Sequence, residues 1–310
     1  MGRNEQRYRE AERRLWDSIG VEPVERQVHL DRLGLDVRVQ EVGEGPAVLF
    51  VHGASNAGAS WATLVAQLEG FRCVLLDRPG CGLSDPVGLR FDDVDEFGRY
   101  ADALAVDVLD ALDLPRAHLV GTSYGGYLVV RAAAAHPGRV DRLVTFGWSM
   151  GAPAIYTPMA MRLSSARWMG WLGARMPPTE RAVRMILRQV GLGHALDSGG
   201  FSQVAVDWFR SLLRDTNTMG NELAAGPRIM TPIGGLNDSI VLPGSLLAKV
   251  QAPSLFLWGE DDPMGGAEVA RAFVDQFPHA ALEMMPNAGH AVWMDDAGHV
   301  AEATTRFLRA

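Results

Sequence analysis

The pattern Gly-x-Ser-x-Gly occurs twice, as Gly121-Thr122-Ser123-Tyr124-Gly125 and as Gly147-Trp148-Ser149-Met150-Gly151. Such a segment can form a tight strand-to-helix turn that projects a serine hydroxyl, its glycines relieving the crowding against neighbouring backbone. The chemistry on offer is attack on a carbonyl by an alcohol that a nearby base activates. Context separates the two matches. Ser123 follows the apolar run His118–Val120 and opens Tyr124–Ala135, a stretch free of internal proline that stops at His136-Pro137-Gly138, which gives strand, turn and helix. Ser149 also follows a strand-like run, but Pro153 and Pro158 come soon after and oppose a long helix there. Ser123 is therefore the expected nucleophile, and Ser149 a turn residue.

An alcohol needs a base, and the base needs an orienting acid. Of eight histidines, His290 lies in Asn287-Ala288-Gly289-His290, just past the last strand-like run, at the carboxyl edge where open parallel sheets build their sites. His52 sits in a separate loop and reads as a structural hydrogen-bonder, while His29, His118, His136, His194, His279 and His299 fall in no comparable constellation. The acid should follow another strand, between serine and histidine in chain order. Leu255–Trp258 runs into Gly259-Glu260-Asp261-Asp262-Pro263, and from there to His290 is room for one helix and one strand. Asp262 is preferred and Asp261 is the rival. The acid would fix the imidazole tautomer and stabilise the imidazolium.

Attack on a carbonyl builds an oxyanion. The first-turn amide of Tyr124, at the positive end of its helix, is one expected donor. The other should come from the loop after the first core strand, Val51-His52-Gly53-Ala54-Ser55, where small residues permit close backbone approach. The Ala54 amide is the candidate and Ser55 the alternative.

Positioning these groups calls for a sheet. Ala47–Val51, Cys73–Leu76, His118–Val120, Leu143–Phe146, Ser254–Trp258 and Ala281–Met285 are short continuous apolar runs, as strands buried on both faces are. Helical stretches alternate with them: Ser60–Leu68, Asp95–Leu112, Tyr124–Ala135, Ala267–Phe277 and Val300–Leu308. Alternation predicts an α/β fold with a mostly parallel central sheet flanked by helices. Gln27–Leu30 and Val37–Val42 read as an entry hairpin, and residues 5–19 as an amphipathic accessory helix. Between about 149 and 245, patterns such as Met161–Met176 and Thr179–Val190 follow one another with no strand between. This predicts an accessory helix over 1–22, a core over 23–148 and 246–310, and a helical cap over 149–245, inserted after the sixth strand.

Composition narrows the function classes. The 310 residues are 47% hydrophobic and 21% charged, enough for one large core plus an insertion. A net charge of −8 argues against a nucleic-acid partner and leaves a small-molecule substrate as the better fit. No apolar run approaches the roughly 18 residues of a membrane helix, and the polar start lacks a secretory signal, so no membrane span and a cytoplasmic location are expected. Cys73 and Cys81 are too few for a disulfide framework and have no metal-ligand spacing.

Four motifs in order resemble the α/β-hydrolase superfamily. They are His52-Gly53 after a strand, Asp77-Arg78-Pro79-Gly80-Cys81-Gly82-Leu83-Ser84 as the turn after the next, the Ser123 elbow, and Trp258 to Asp262 followed by Gly289-His290. The likeness spans residues 25–148 and 246–310. Within the superfamily the chain is similar to cap-bearing esterases, lactone hydrolases, carbon–carbon hydrolases of aromatic catabolism and cofactor-free haloperoxidases. Ser123 stands where epoxide hydrolases and haloalkane dehalogenases carry aspartate, which argues against both. The resemblance implies an enzyme needing no metal or organic cofactor. Trp293, shortly after His290, is like the carbon–carbon hydrolases, whereas His52–Gly58 departs from their more glycine-rich loop. Hydrolysis of a carboxylic ester or lactone is therefore ranked first, carbon–carbon cleavage second, and a catalytically silent ligand-binding protein last.

The substrate pocket should be apolar and adaptable, with Trp148, Trp168, Trp171 and Trp293 as candidates beside the methionines 150, 161, 169, 176 and 185. The predicted cap carries nine arginines against six acids, while the rest of the chain is strongly acidic. Arg181, Arg184 and Arg188 share a helical face, which reads as solvated rather than as part of the site.

Overall fold

The structure, a computed structural model, describes residues 4–85, 94–157, 162, 178–231, 233 and 235–310. Its first element is α1 (Glu5–Asp17), capped where the Asn4 side chain accepts the Arg7 amide. β1 (Val24–Leu30) and β2 (Leu35–Val42) form an antiparallel hairpin, and β2 then pairs antiparallel with β4 (Arg72–Leu76). From there the sheet is parallel. β3 (Ala47–Val51) lies between β4 and β5 (Ala117–Thr122), followed across the sheet by β6 (Val140–Ser149). After a two-residue ladder of β7 (Met230–Thr231) and β8 (Gly235–Leu236), β9 (Ser254–Gly259) and β10 (Ala280–Met285) complete the order β1-β2-β4-β3-β5-β6-β9-β10.

Helices cover both faces, so alternate side chains of one strand enter different cores. Leu49 and Val51 of β3 join a cluster with α3 (Val94–Ala111) and α4 (Ser123–Ala135), whereas Val48 and Phe50 face Trp61 and Phe146 on the other side. That is why these strands read as unbroken apolar runs. The short α2 (Ala62–Val65) continues a 3-10 turn at Gly58–Trp61.

Between β6 and β9 the described residues hold α5 (Glu180–Gln189), α6 (Gly193–Ser198), α7 (Gln203–Asp215), α8 (Thr218–Ile229) and the short α9 (Gly244–Leu247). Side chains start two of them: Thr179 Oγ1 accepts the Ala182 amide, and Ser202 Oγ accepts the Ala205 amide. The predicted helix Met161–Met176 lies outside the described residues. α10 (Ala267–Val274), α11 (Val292–Asp295) and α12 (Ala297–Arg309) follow β9 and β10. Among the described residues no helix is long and apolar enough to cross a membrane.

The amphipathic α1 is tied to two parts of the molecule. The Asn4 amide donates to the Asp215 carbonyl at the end of α7, while Glu12 makes a two-pronged ion pair with Arg38 of β2, at 2.7 Å to each terminal nitrogen. Arg38 is wholly buried and reaches on to Asp77 at 2.7 Å. Burial alone would raise the Glu12 carboxyl, but the Arg38 guanidinium holds it below the usual range.

Candidate active site

Ser123 stands at the carboxyl end of β5, where the chain breaks into α4 with a φ of 52°. A non-glycine residue in the left-handed region is strained, and the surroundings must hold it there. They do so by backbone proximity. A methyl group on Gly125 would lie 1.9 Å from the Val51 carbonyl oxygen, so only glycine lets α4 start this close to β3. Tyr124 is then a first-turn residue whose amide has no carbonyl one turn earlier in α4 to meet.

Asp262 and His290 come from the loops after β9 and β10, adjacent strands at that same edge. His290 Nδ1 donates to Asp262 Oδ2 at 2.8 Å, which leaves Nε2 free to accept a proton. The Asp262 side chain is fully buried and its other bonds are to backbone: Oδ2 accepts the Trp148 amide at 2.7 Å and Oδ1 the Met264 amide at 3.0 Å. Gly147, at φ +63°, passes so close that a methyl there would stand 2.2 Å from the His290 carbonyl oxygen. Asp261, the rival, is exposed. From the segment between β6 and β9 the Gly191 carbonyl accepts the His290 amide at 3.4 Å, and Asp295 of α11 accepts the Gly289 amide at 2.9 Å.

The loop after β3 brings Gly53 against Ser123, a Cβ built on the glycine lying 3.1 Å from Ser123 Cβ. His52 acts structurally here. Its Nε2 accepts the Arg78 amide at 3.0 Å, so Nδ1 carries the proton that is donated to the Gly53 carbonyl at 2.7 Å. Burial, and Arg78 beside it, push its pKa well below the usual histidine value, so the ring stays neutral. Neither cysteine competes with Ser123: burial pushes the Cys73 thiol up to about 12 and Cys81 well above its ordinary value.

Ser149 differs from its sequence reading. It is the last residue of β6 rather than part of a turn, it is wholly buried, and its hydroxyl packs onto the backbone of Gly126 in α4, out of reach of a substrate. Trp148 lies beside the site, its ring centroid 6.4 Å from that of His290. Trp293 is 2% exposed, 4.4 Å from the Trp61 ring, and donates to the Ser60 carbonyl, so it belongs to an aromatic cluster of the core. Trp168 and Trp171 lie outside the described residues. Arg184 and Arg188 are engaged on the insert's outer side by Glu180 and Asp197. Sequence reasoning passed over Glu222, whose contact with Arg78 spans 144 positions and leaves no local pattern.

A family profile for the alpha/beta hydrolase fold matches residues 46–297. The chain belongs to the α/β-hydrolase family. As a member of it, the protein is an enzyme. A relative from Pseudomonas putida, the 2-hydroxy-6-oxononadienedioate/2-hydroxy-6-oxononatrienedioate hydrolase 2, is 30% identical over 271 residues, which cover 84% of this chain and 87% of that one. Among solved structures, the 2-hydroxy-6-oxo-6-phenylhexa-2,4-dienoate hydrolase from Rhodococcus sp. strain RHA1 superposes with a TM-score of 0.77 at 19% identity, covering 94% of this chain and 100% of that one. A carboxylesterase from Bacillus subtilis does so with a TM-score of 0.76 at 19% identity and 98% coverage of both. At these identities the two superpositions speak to fold alone.

Proposed function

We propose that this α/β-hydrolase uses Ser123, His290 and Asp262 as a catalytic triad to hydrolyse the carbon–carbon bond next to a ketone in a 2-hydroxy-6-oxo-dienoate-type substrate. The observation that carries the triad is the 2.8 Å bond from His290 Nδ1 to a buried Asp262, on the sheet edge where Ser123 is held at positive φ. The substrate class rests on the Pseudomonas putida relative, aligned along most of both chains. This reverses the ranking from sequence, which set ester cleavage first.

His290 Nε2 takes the Ser123 proton as Oγ attacks the ketone, Asp262 stabilises the imidazolium, and the Ala54 and Tyr124 amides receive the oxyanion. Carbon is a poor leaving group. It becomes adequate once the dienol has moved its proton from the 2-hydroxyl to C5, because the electron pair released at C5 then delocalises through the alkene to the new 2-ketone. His290 returns a proton to the departing fragment. Water, deprotonated by His290, finally releases the acid from Ser123, so one water is consumed and one carbon–carbon bond is exchanged for C–OH and C–H.

Ester hydrolysis is the second reading, and one observation favours it. Among the described residues the buried arginines are Arg38 and Arg78, both bonded to acids, so neither is at hand for a substrate carboxylate. The assay is turnover of 2-hydroxy-6-oxo-6-phenylhexa-2,4-dienoate, followed by loss of dienolate absorbance and appearance of benzoate, beside nitrophenyl esters of increasing chain length. Cleavage of the dienoate, lost in Ser123→Ala, is expected. Inertness to it with rapid ester turnover would put the ester reading first.

A further inference from the structure

Arg78 is a buried cation beside the nucleophile that no step above uses. Its guanidinium lies 4.2 Å from the ring centroid of Tyr124, the residue after Ser123, and Nε and Nη2 hold three acceptors. Nε donates to the His52 carbonyl at 3.0 Å, while Nη2 donates to the Gly53 carbonyl at 3.0 Å and to Glu222 Oε1 at 2.6 Å. Burial disfavours its charge, yet Glu222 holds its pKa above the usual arginine value.

The Gly53 carbonyl belongs to the same planar unit as the Ala54 amide. In a trans peptide the two point in opposite directions. Fixing that oxygen between His52 Nδ1 and Arg78 Nη2 therefore aims the Ala54 N–H the other way, and among the described residues this N–H meets no carbonyl. Glu222 sits in the insert, in the first turns of α8. Two neighbours dock the same stretch of α8 onto the turn that carries Arg78: Thr218 Oγ1 accepts the Gly82 amide at 2.9 Å and Asn221 Nδ2 donates to the Gly80 carbonyl at 2.6 Å.

We propose that Arg78 is a positioning residue that locks the Gly53–Ala54 peptide in its oxyanion-binding orientation, and that Glu222 couples this lock to the seating of the insert. The inference rests on the triad reading above. A cap that lifts away takes Glu222 with it and frees Arg78 from its acid, so the oxyanion hole is complete only when the insert is seated.

The test is the rate of Ser123 modification by an alkyl fluorophosphonate, whose phosphoryl oxygen needs the same amides, resolved into kinact and KI for the wild type, Arg78→Met, Arg78→Lys, Glu222→Ala and Glu222→Gln. Misaiming one oxyanion donor lowers kinact of Arg78→Met by roughly 100-fold, with KI within about threefold of wild type. Arg78→Lys recovers only part of this, because an ammonium cannot span both carbonyls. Glu222→Ala loses about tenfold, whereas Glu222→Gln, whose amide oxygen still accepts, stays within about threefold. An unchanged kinact in Arg78→Met, accompanied only by a lower Tm, overturns the lock and leaves Arg78 a strut. Should the Arg78 variants fail to fold, the Glu222 pair decides, and equal kinact in Glu222→Ala and Glu222→Gln overturns the coupling. A wild type that takes no label on Ser123 removes the triad reading itself, and the lock with it.

Discussion

Replacing Asp262 by asparagine exchanges one oxygen for an NH2 group in a pocket whose three hydrogen bonds all require an acceptor. Oδ2 receives the His290 ring and the Trp148 amide, and Oδ1 receives the Met264 amide. With the amide oxygen in the Oδ2 position, the NH2 group faces the Met264 N–H, donor against donor. Turned round, it opposes the Trp148 N–H and forces His290 into the tautomer that carries its proton on Nε2. Either orientation leaves a buried donor unmatched, at a cost of about 1–3 kcal/mol. For a chain of this size that is a fall in Tm of roughly 2–10 °C. In the turned-round orientation the catalytic loss is larger, because His290 with a protonated Nε2 cannot take the Ser123 proton, and the wrong tautomer costs kcat on the order of 10⁴-fold. Calorimetry and single-turnover kinetics on Asp262→Asn and Asp262→Ala read the two effects separately. Turnover of Asp262→Asn within about threefold of wild type would refute this tautomer argument.

Three further outcomes follow from other parts of the molecule. Gly125→Ala, whose methyl would meet the Val51 carbonyl oxygen at 1.9 Å, is expected to lose activity and several degrees of Tm, while Gly138→Ala, with open space around it, is nearly neutral; differential scanning calorimetry compares them. Glu12→Ala removes one acid from buried Arg38 and should cost about 3–5 kcal/mol in urea unfolding, with Glu12→Gln costing less. Burial raises the Asp107 carboxyl to about 6, with Arg32 opposing, so the folded state binds the extra proton. Its contribution to stability is present at low pH and is lost as pH rises from about 4 to 6, on the order of 1 kcal/mol. Denaturation midpoints of Asp107→Asn and wild type should therefore diverge over that range in favour of the variant, and parallel curves would contradict the assignment.

What could be read from sequence was what local pattern carries. Ala47–Val51 is an apolar run between turn residues, and it is β3 residue for residue. The parallel α/β sheet followed from six such runs alternating with helical stretches. Position also carried the meeting of Asp262 and His290 at one sheet edge, since each lies a few residues past a strand end, and parallel strands deliver their loops to one edge. The boundary of β6 was missed because Trp148 and Ser149 extend the strand through a positive-φ glycine that reads as a stop. Trp293 looked like a pocket residue because indole is as much at home in a substrate site as in a core. Only the neighbouring Trp61 ring decides between them, and it is 232 positions away. The Arg78–Glu222 pair illustrates the same limit: two charges in unrelated segments carry no periodicity that ties them together.

The tethering of α1 also bears on how the chain assembles. Asn4 and Arg7 meet Asp215, roughly two hundred residues later in the sequence, and Glu12 meets a residue of the second strand. During synthesis at about 5–20 residues per second, the helix waits some ten to forty seconds for α7. In that interval Tyr8, Leu15 and Trp16 lack Trp208, Leu212 and Leu213 of α7, which share their core in the finished fold. The first-made segment thus acts as a latch that closes once the insert has been made, and a nascent chain stalled before residue 215 should expose that apolar face to chaperones and proteases.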